Sequence, residues 1–204
     1  MRLVARRVSG LMILVVAMAG CGPSRPARIT PPGLDVAAVT AAVMARADTD
    51  GDGRLTKQEL ERVPALVAPL AALDADADGQ LSAAELRAWL EEVKASRVAI
   101  TSLNASVTHK GKPLSGAAIR LVPESFMEGG MKAAAGVTEA GGDAILTIPD
   151  SPYPGVHCGL YRVEITGAGH DGKPLPARYN TESTLGLAVG GRVPENGMAF
   201  FTLE

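Results

Sequence analysis

Aromatic residues are scarce. One Trp, three Tyr and three Phe make up 3% of the 204 residues. Any core must therefore be built from Ala, Val, Leu and Ile, and a surface that stacks sugars has few rings to draw on. Cysteine occurs only as Cys21 and Cys158, too few to staple a small domain with a disulfide framework. Basic residues are in no excess, since 20 Lys+Arg stand against 22 Asp+Glu. Nucleic acid is thereby excluded as a partner, because it requires a basic face. The N-terminal apolar run, residues 8–20 (VSGLMILVVAMAG), falls short of the roughly 20 residues that cross a bilayer.

What that run does have is context. Arg2, Arg6 and Arg7 precede it and small residues end it, the pattern of a secretory signal peptide. Met18-Ala19-Gly20-Cys21 resembles the lipobox of bacterial lipoproteins. The resemblance implies cleavage before Cys21 and a diacylglycerol on its sulfur, so that the membrane becomes a partner through lipid methylenes contributing about 0.8 kcal/mol each. The alternatives are an ordinary signal that leaves Cys21 free, or a short uncleaved anchor. Cleavage removes three arginines and no acid, leaving 17 basic against 22 acidic residues. With Cys21 acylated, Cys158 has no partner for an internal disulfide and reads as a small buried hydrophobe, or else as a reactive or intermolecularly paired thiol. Gly22 stands where an aspartate would signal inner-membrane retention in some bacteria. The expected location is the cell envelope, at the periplasmic face of the outer membrane.

Composition divides the rest. Residues 1–20 are the signal, and 21–33, rich in proline and short polar residues, form a tether that cannot easily become a helix. Residues 34–97 are alanine-rich and helical in period. Val36, Val39, Val43 and Met44 fall mostly on one face of a first helix, and Leu86, Trp89, Leu90 and Val93 on one face of a second over 81–95. Ser82 and Glu85 have capping-box spacing at the start of the second. Residues 98–204 turn to short alternating runs separated by Gly, Pro and Asp, which predicts an antiparallel β-sandwich. The expected fold class is therefore two-domain, α then β.

Within the helical part, residues 48–59 (DTDGDGRLTKQE) carry four carboxylates, and residues 74–85 (DADADGQLSAAE) repeat the pattern 26 positions on. Both resemble the calcium loop of EF-hands. A hard cation such as Ca²⁺ takes six to eight oxygens at about 2.3–2.6 Å. Asp48, Asp50 and Asp52, then Asp74, Asp76 and Asp78, occupy the three carboxylate positions. Arg54 and Gln80 stand where the family uses a backbone carbonyl, Thr56 and Ser82 where a hydroxyl acts directly or through water, and Glu59 and Glu85 where both carboxylate oxygens bind. Gly53 and Gly79 take the sharp turn, which glycine makes without steric penalty. The resemblance implies two Ca²⁺ sites, with Leu55 and Leu81 bridging the loops as a short β-pair. The bidentate Glu favours Ca²⁺ over Mg²⁺, which holds its waters and prefers octahedral geometry.

Residues 60–73 must hold the helices between the loops, yet Pro64 and Pro69 lie inside. A compact pair follows, with one short or irregular helix there and Leu66, Leu70 and Leu73 still on one face. Dockerin-like repeats are the competing relative, although they usually have an acid of shorter reach where Glu59 and Glu85 stand. Met44 is the only methionine of this part, too few for the Met-rich groove of a sensor hand, so calcium is expected to be structural.

In the C-terminal half, Val107, the turn Lys110-Gly111-Lys112-Pro113-Leu114-Ser115-Gly116 and the strand 119–123 resemble the opening of carboxypeptidase-regulatory-like domains, a transthyretin-like β-sandwich. Residues 159–167 (GLYRVEITG) fit as well; Gly142-Asp143-Ala144 departs where that family has an aromatic, leaving that strand's register open. The resemblance implies fold rather than activity. None of His109, His157 and His170 has a Glu three residues on, as a zinc carboxypeptidase needs, and no GxSxG appears, so no enzyme is expected. His157 is expected half-exposed beside a buried Cys158, and His170 solvated. The leading expectation is a lipid-anchored, calcium-binding, non-catalytic binding or structural module. Dockerin-like adhesion or assembly is one alternative, which an exposed apolar patch on the 81–95 helix would support. Carbohydrate binding through the sandwich, with Phe200 or Phe201 facing outward, is the other.

Overall fold

The computed structural model describes residues 29–127 and 129–204. The signal segment and Cys21 lie outside them. Helix α1, Val36–Ala47, begins at Asp35, whose carboxylate accepts the Ala38 N–H at 3.0 Å, and it buries Val36, Val39 and Val43. Strand β1, Arg54–Leu55, and helix α2, Lys57–Leu60, follow the first acidic loop. Pro64 then opens a 3₁₀ turn, Pro64–Leu66, and Pro69 precedes the single-turn helix α3, Leu70–Leu73. The prolines thus keep every helical piece between the loops to one turn, because each removes an N–H and clashes with the preceding turn. Leu66, Leu70 and Leu73 are nevertheless all buried. Strand β2, Leu81–Ser82, leads into helix α4, Ala83–Ser96, which buries Leu86, Trp89, Leu90 and Val93.

The β part comprises β3 (Asn104–His109), β4 (Lys112–Pro113), β5 (Ala118–Pro123), β6 (Ala134–Val137), β7 (Asp143–Ile145), β8 (Gly159–Thr166), β9 (Leu185–Val189) and β10 (Met198–Leu203). They form two sheets. In one, β3 lies between β10 on one side and β4 and β7 on the other; the second has the order β6-β5-β8-β9. Inward residues of both sheets, among them Val107, Ile119, Leu121, Val163, Ile165 and Phe201, make one buried cluster, as the alternation of the strands requires. Two details go beyond the sequence reading. The β10–β3 pairing is parallel, with Phe200 beside Ser106, so that sheet is mixed rather than purely antiparallel. The register left open at Gly142-Asp143-Ala144 is fixed by Ala144 opposite Ala105, with Ala144 pointing inward.

The helical unit rests on the outer face of β8 and β9. Leu160 and Ala188 point away from the sandwich core and join a second buried cluster with Val39, Leu66, Leu90 and Val93 of the helices. The Trp89 ring N–H donates to the Gly190 carbonyl at 3.2 Å, and Arg46 pairs with the buried Glu124 at 3.1 Å. At Gly186 the 3₁₀ turn lies so close that a Cβ would sit 2.1 Å from the Ala65 nitrogen. One expectation is reversed at this seam. His157 is the buried residue, its Nδ1 2.7 Å from the Ala99 carbonyl oxygen, and Cys158 is the partly exposed one. Both residues precede β8, so strand alternation does not set their faces; His157 is turned inward by its contact with the Ala99 carbonyl.

Candidate metal centre

Each acidic loop is closed by its own backbone. In the first, the Asp48 carboxylate accepts the N–H groups of Gly51 at 2.7 Å and Gly53 at 3.0 Å, Asp50 accepts from Asp52, and Asp52 from Arg54. In the second, Asp74 accepts from Asp78 and from Gly79 at 2.8 Å, Asp76 from Asp78, and Asp78 from Gln80. These N–H dipoles hold the carboxylates together against their mutual repulsion. Gly53 and Gly79 have φ of +81° and +83°, which sends the chain back over the loop. One oxygen from each of Asp48, Asp50 and Asp52 lies within 4.8 Å of the others, and the same holds for Asp74, Asp76 and Asp78.

The fourth acid of each loop reaches across it. Thr56 caps α2, and the Glu59 carboxylate returns to the Thr56 N–H at 3.0 Å and hydroxyl at 2.9 Å. Its other oxygen takes the Thr49 N–H and hydroxyl, both at 2.9 Å. Backbone donation from Thr56 and Thr49, with their hydroxyls, lowers the Glu59 pKa to about 2. Glu85 repeats the arrangement with Ser82 N–H at 2.9 Å, Ser82 hydroxyl at 2.8 Å and Ala75 N–H at 2.8 Å. Burial pushes its pKa up, but these hydrogen bonds together outweigh it and the net shift is downward. Both glutamates are therefore fully ionised at neutral pH, and a metal need displace no proton from them. The capping box and the acidic loop share the same residues, so folding the helix N-terminus also places the glutamate that the loop could offer a metal.

Leu55 and Leu81 pair across β1 and β2 and are fully buried, tying the two loops back to back. Of the twelve residues expected at the two sites, the structure brings together the six aspartates, in two groups of three. Arg54 was expected to offer only its carbonyl, but its guanidinium crosses to the second loop and pairs with Asp78. The Gln80 side-chain oxygen is buried without a partner among the described residues. Thr49 was missed altogether, although a hydroxyl residue beside the first Asp is the signal that could have revealed it. The donor set, all hard oxygens from carboxylate, hydroxyl and backbone carbonyl, fits Ca²⁺ and no soft metal.

Comparison with known proteins agrees over this part of the chain. The family model for the EF hand matches residues 41–64 and 67–90, one repeat around each loop. No curated protein and no solved structure matches the chain.

Proposed function

We propose that this chain is a lipid-anchored, non-catalytic protein of the bacterial cell envelope, in which two calcium-loaded EF-hand loops stabilise a helical unit carried on a carboxypeptidase-regulatory-like β-sandwich. The observation that carries the calcium part is the pair of preformed loops, each gathering three aspartate carboxylates under backbone N–H groups, with a glutamate hydrogen-bonded across the loop. Asp48, Asp50, Asp52, Thr56, Glu59 and the Arg54 carbonyl hold the first ion. Asp74, Asp76, Asp78, Ser82, Glu85 and the Gln80 carbonyl hold the second. The anchor rests on the sequence pattern ending in Cys21. A structural rather than signalling role is supported by the burial of the α4 apolar face in one cluster with α1, the 3₁₀ turn and Leu160 and Ala188 of the sheet, where a sensor hand would open toward a target.

Calorimetric titration of the full chain with Ca²⁺ tests the metal sites. Two sites with dissociation constants of about 10⁻⁴–10⁻³ M are expected, with Glu59→Gln and Glu85→Gln each abolishing one. Absence of both heat and bound metal would overturn the reading. For the anchor, Cys21→Ser is expected to move the protein from the membrane to the soluble fraction; retention of the variant on membranes would refute lipidation there.

Of the alternatives, assembly through the 81–95 helix gains no support, since no large hydrophobic of that helix is exposed among the described residues. Carbohydrate binding has one observation in its favour. Phe200 is 76% exposed on the outer face of β10, with Ile145 also exposed on that sheet face. A glycan array with the full chain decides it, and loss of a signal on Phe200→Ala would assign the platform.

A further inference from the structure

The seam between the helical unit and the sheet contains a cleft that adjoins the first acidic loop, since Glu61 and Arg62 also line a hollow with Asp50 and Glu59. It has a volume of about 410 Å³ and lies between the end of α1, the turn after α2, the middle of β8 and the approach to β9. Its lining carries three arginines, Arg46, Arg62 and Arg162, against two acids, Glu61 and Glu124.

The bonding of these groups decides what the cleft can accept. Glu124 is 7% exposed and is matched by one nitrogen of Arg46 at 3.1 Å. Arg162 is steadied by Glu164, outside the cleft, at 2.9 Å. A guanidinium offers five N–H donors, so both arginines retain donors after these pairings. Arg62 has no ion pair or side-chain hydrogen bond among the described residues, and neither has the Thr184 hydroxyl. The neighbouring Ser183 hydroxyl donates to the Val163 carbonyl and accepts from the Leu185 N–H, which fixes the backbone that carries Thr184.

We propose that this cleft binds a small molecule through an oxyanion group, a phosphate, sulfate or carboxylate, held by Arg62 with Arg46, Arg162 and Thr184 around it. The donors are in surplus and planar guanidinium forks suit such oxygens. The volume lies at the lower end of the range for small-molecule sites. The ligand would bridge the two halves of the chain, since Arg46 and Arg62 come from the helical unit and Arg162 and Thr184 from the sheet.

The test is a titration of the full ¹⁵N-labelled chain, following the arginine side-chain Nε–Hε resonances. Sodium phosphate and sodium acetate are the probes, and sodium chloride at equal ionic strength is the control. Saturable movement of the Arg46, Arg62 and Arg162 signals is expected, with Arg178, tied to the Glu204 carbonyl elsewhere, unmoved. A response to phosphate alone assigns a tetrahedral anion, and a response to acetate alone a carboxylate. Arg62→Gln is expected to weaken binding at least about tenfold with an unchanged melting temperature, and Thr184→Val to weaken it less. Chloride reproducing the shifts, or Arg62→Gln binding as wild type does, would overturn the proposal.

Discussion

At the scale of single residues, the two hydrophilic loops are held by many short contacts, and the informative residue is the one that breaks the repeat. Arg54 pairs with Asp78, one of the aspartates proposed to hold metal in the other loop. Whether calcium must displace that guanidinium or merely sits beside its charge, the sign is the same: Arg54 opposes metal at the second site. Exposed ion pairs contribute about 0.2–1 kcal/mol. Arg54→Ala is therefore expected to tighten the second site by about 1.4- to fivefold at low salt, with the gain fading as salt rises. A calorimetric titration that found the second site weakened would refute this. Cys158 gives a second expectation. Its side chain lies under Gly190, where a Cβ would come within 3.0 Å of the Cys158 Cβ, and burial pushes the thiol up from its ordinary value. Thiolate is the reactive form, so iodoacetamide at pH 8 is expected to label Cys158 severalfold more slowly in the native chain than in denaturant. Equal rates would show that the thiol is accessible and activated.

At the scale of elements, the decisive contact is backbone against backbone. The 3₁₀ turn Pro64–Leu66 lies on β9 because Gly186 has no side chain. In Gly186→Ala the new Cβ would meet the backbone of Pro64 and Ala65, which cannot rotate away. Overpacking of this kind costs about 1–3 kcal/mol, and the melting temperature should fall accordingly. Gly141→Ala is the control, since its Cβ would meet only the far end of the Asp143 side chain at 3.3 Å. Equal melting temperatures for the two variants would show that the turn does not bear on the sheet. This contact was not legible in the sequence, and the reason is general. The acidic loops could be read because their carboxylates and glycine turn lie within twelve consecutive residues, and α4 because Ser82 and Glu85 announce its start. The strand runs could be read from alternation. What joins distant segments could not: Gly186 reads as an ordinary strand glycine, and the outward Leu160 and Ala188 reveal a covered face only once the helices are in place. The parallel partner of β3 likewise lies at the far end of the chain, with no local signal of direction.

At the scale of the whole molecule, the α and β halves are distinct in composition but not in burial. One apolar cluster takes Val39, Leu66 and Leu90 from the helices and Leu160, Ala188 and Val193 from the β part. Separating the halves would expose that surface to water, at roughly 25 cal/mol per Å² of apolar area. Loss of the helical unit would therefore also strip a face of the sheet. Calcium bound to the loops should then stabilise the sandwich as well as the helices, although no loop residue lies in a β3–β10 strand. The size follows from mass action. With sites of about 10⁻⁴–10⁻³ M, about 10 mM free Ca²⁺ contributes about 1.4–2.7 kcal/mol per site. Two sites together correspond to a rise of roughly 6–20 °C for a chain of this size. Trp89 is the only tryptophan and hydrogen-bonds the Gly190 carbonyl across the seam, so its fluorescence reports docking, while far-UV circular dichroism reports the helices and sheets. Both signals are expected to change in one transition, which moves up with Ca²⁺ and down with chelator. A Trp89 transition that shifts with calcium while a separate sheet transition stays fixed would mean that the seam is not part of a common core. A melting temperature indifferent to calcium in both signals would remove the stabilising role of the metal altogether.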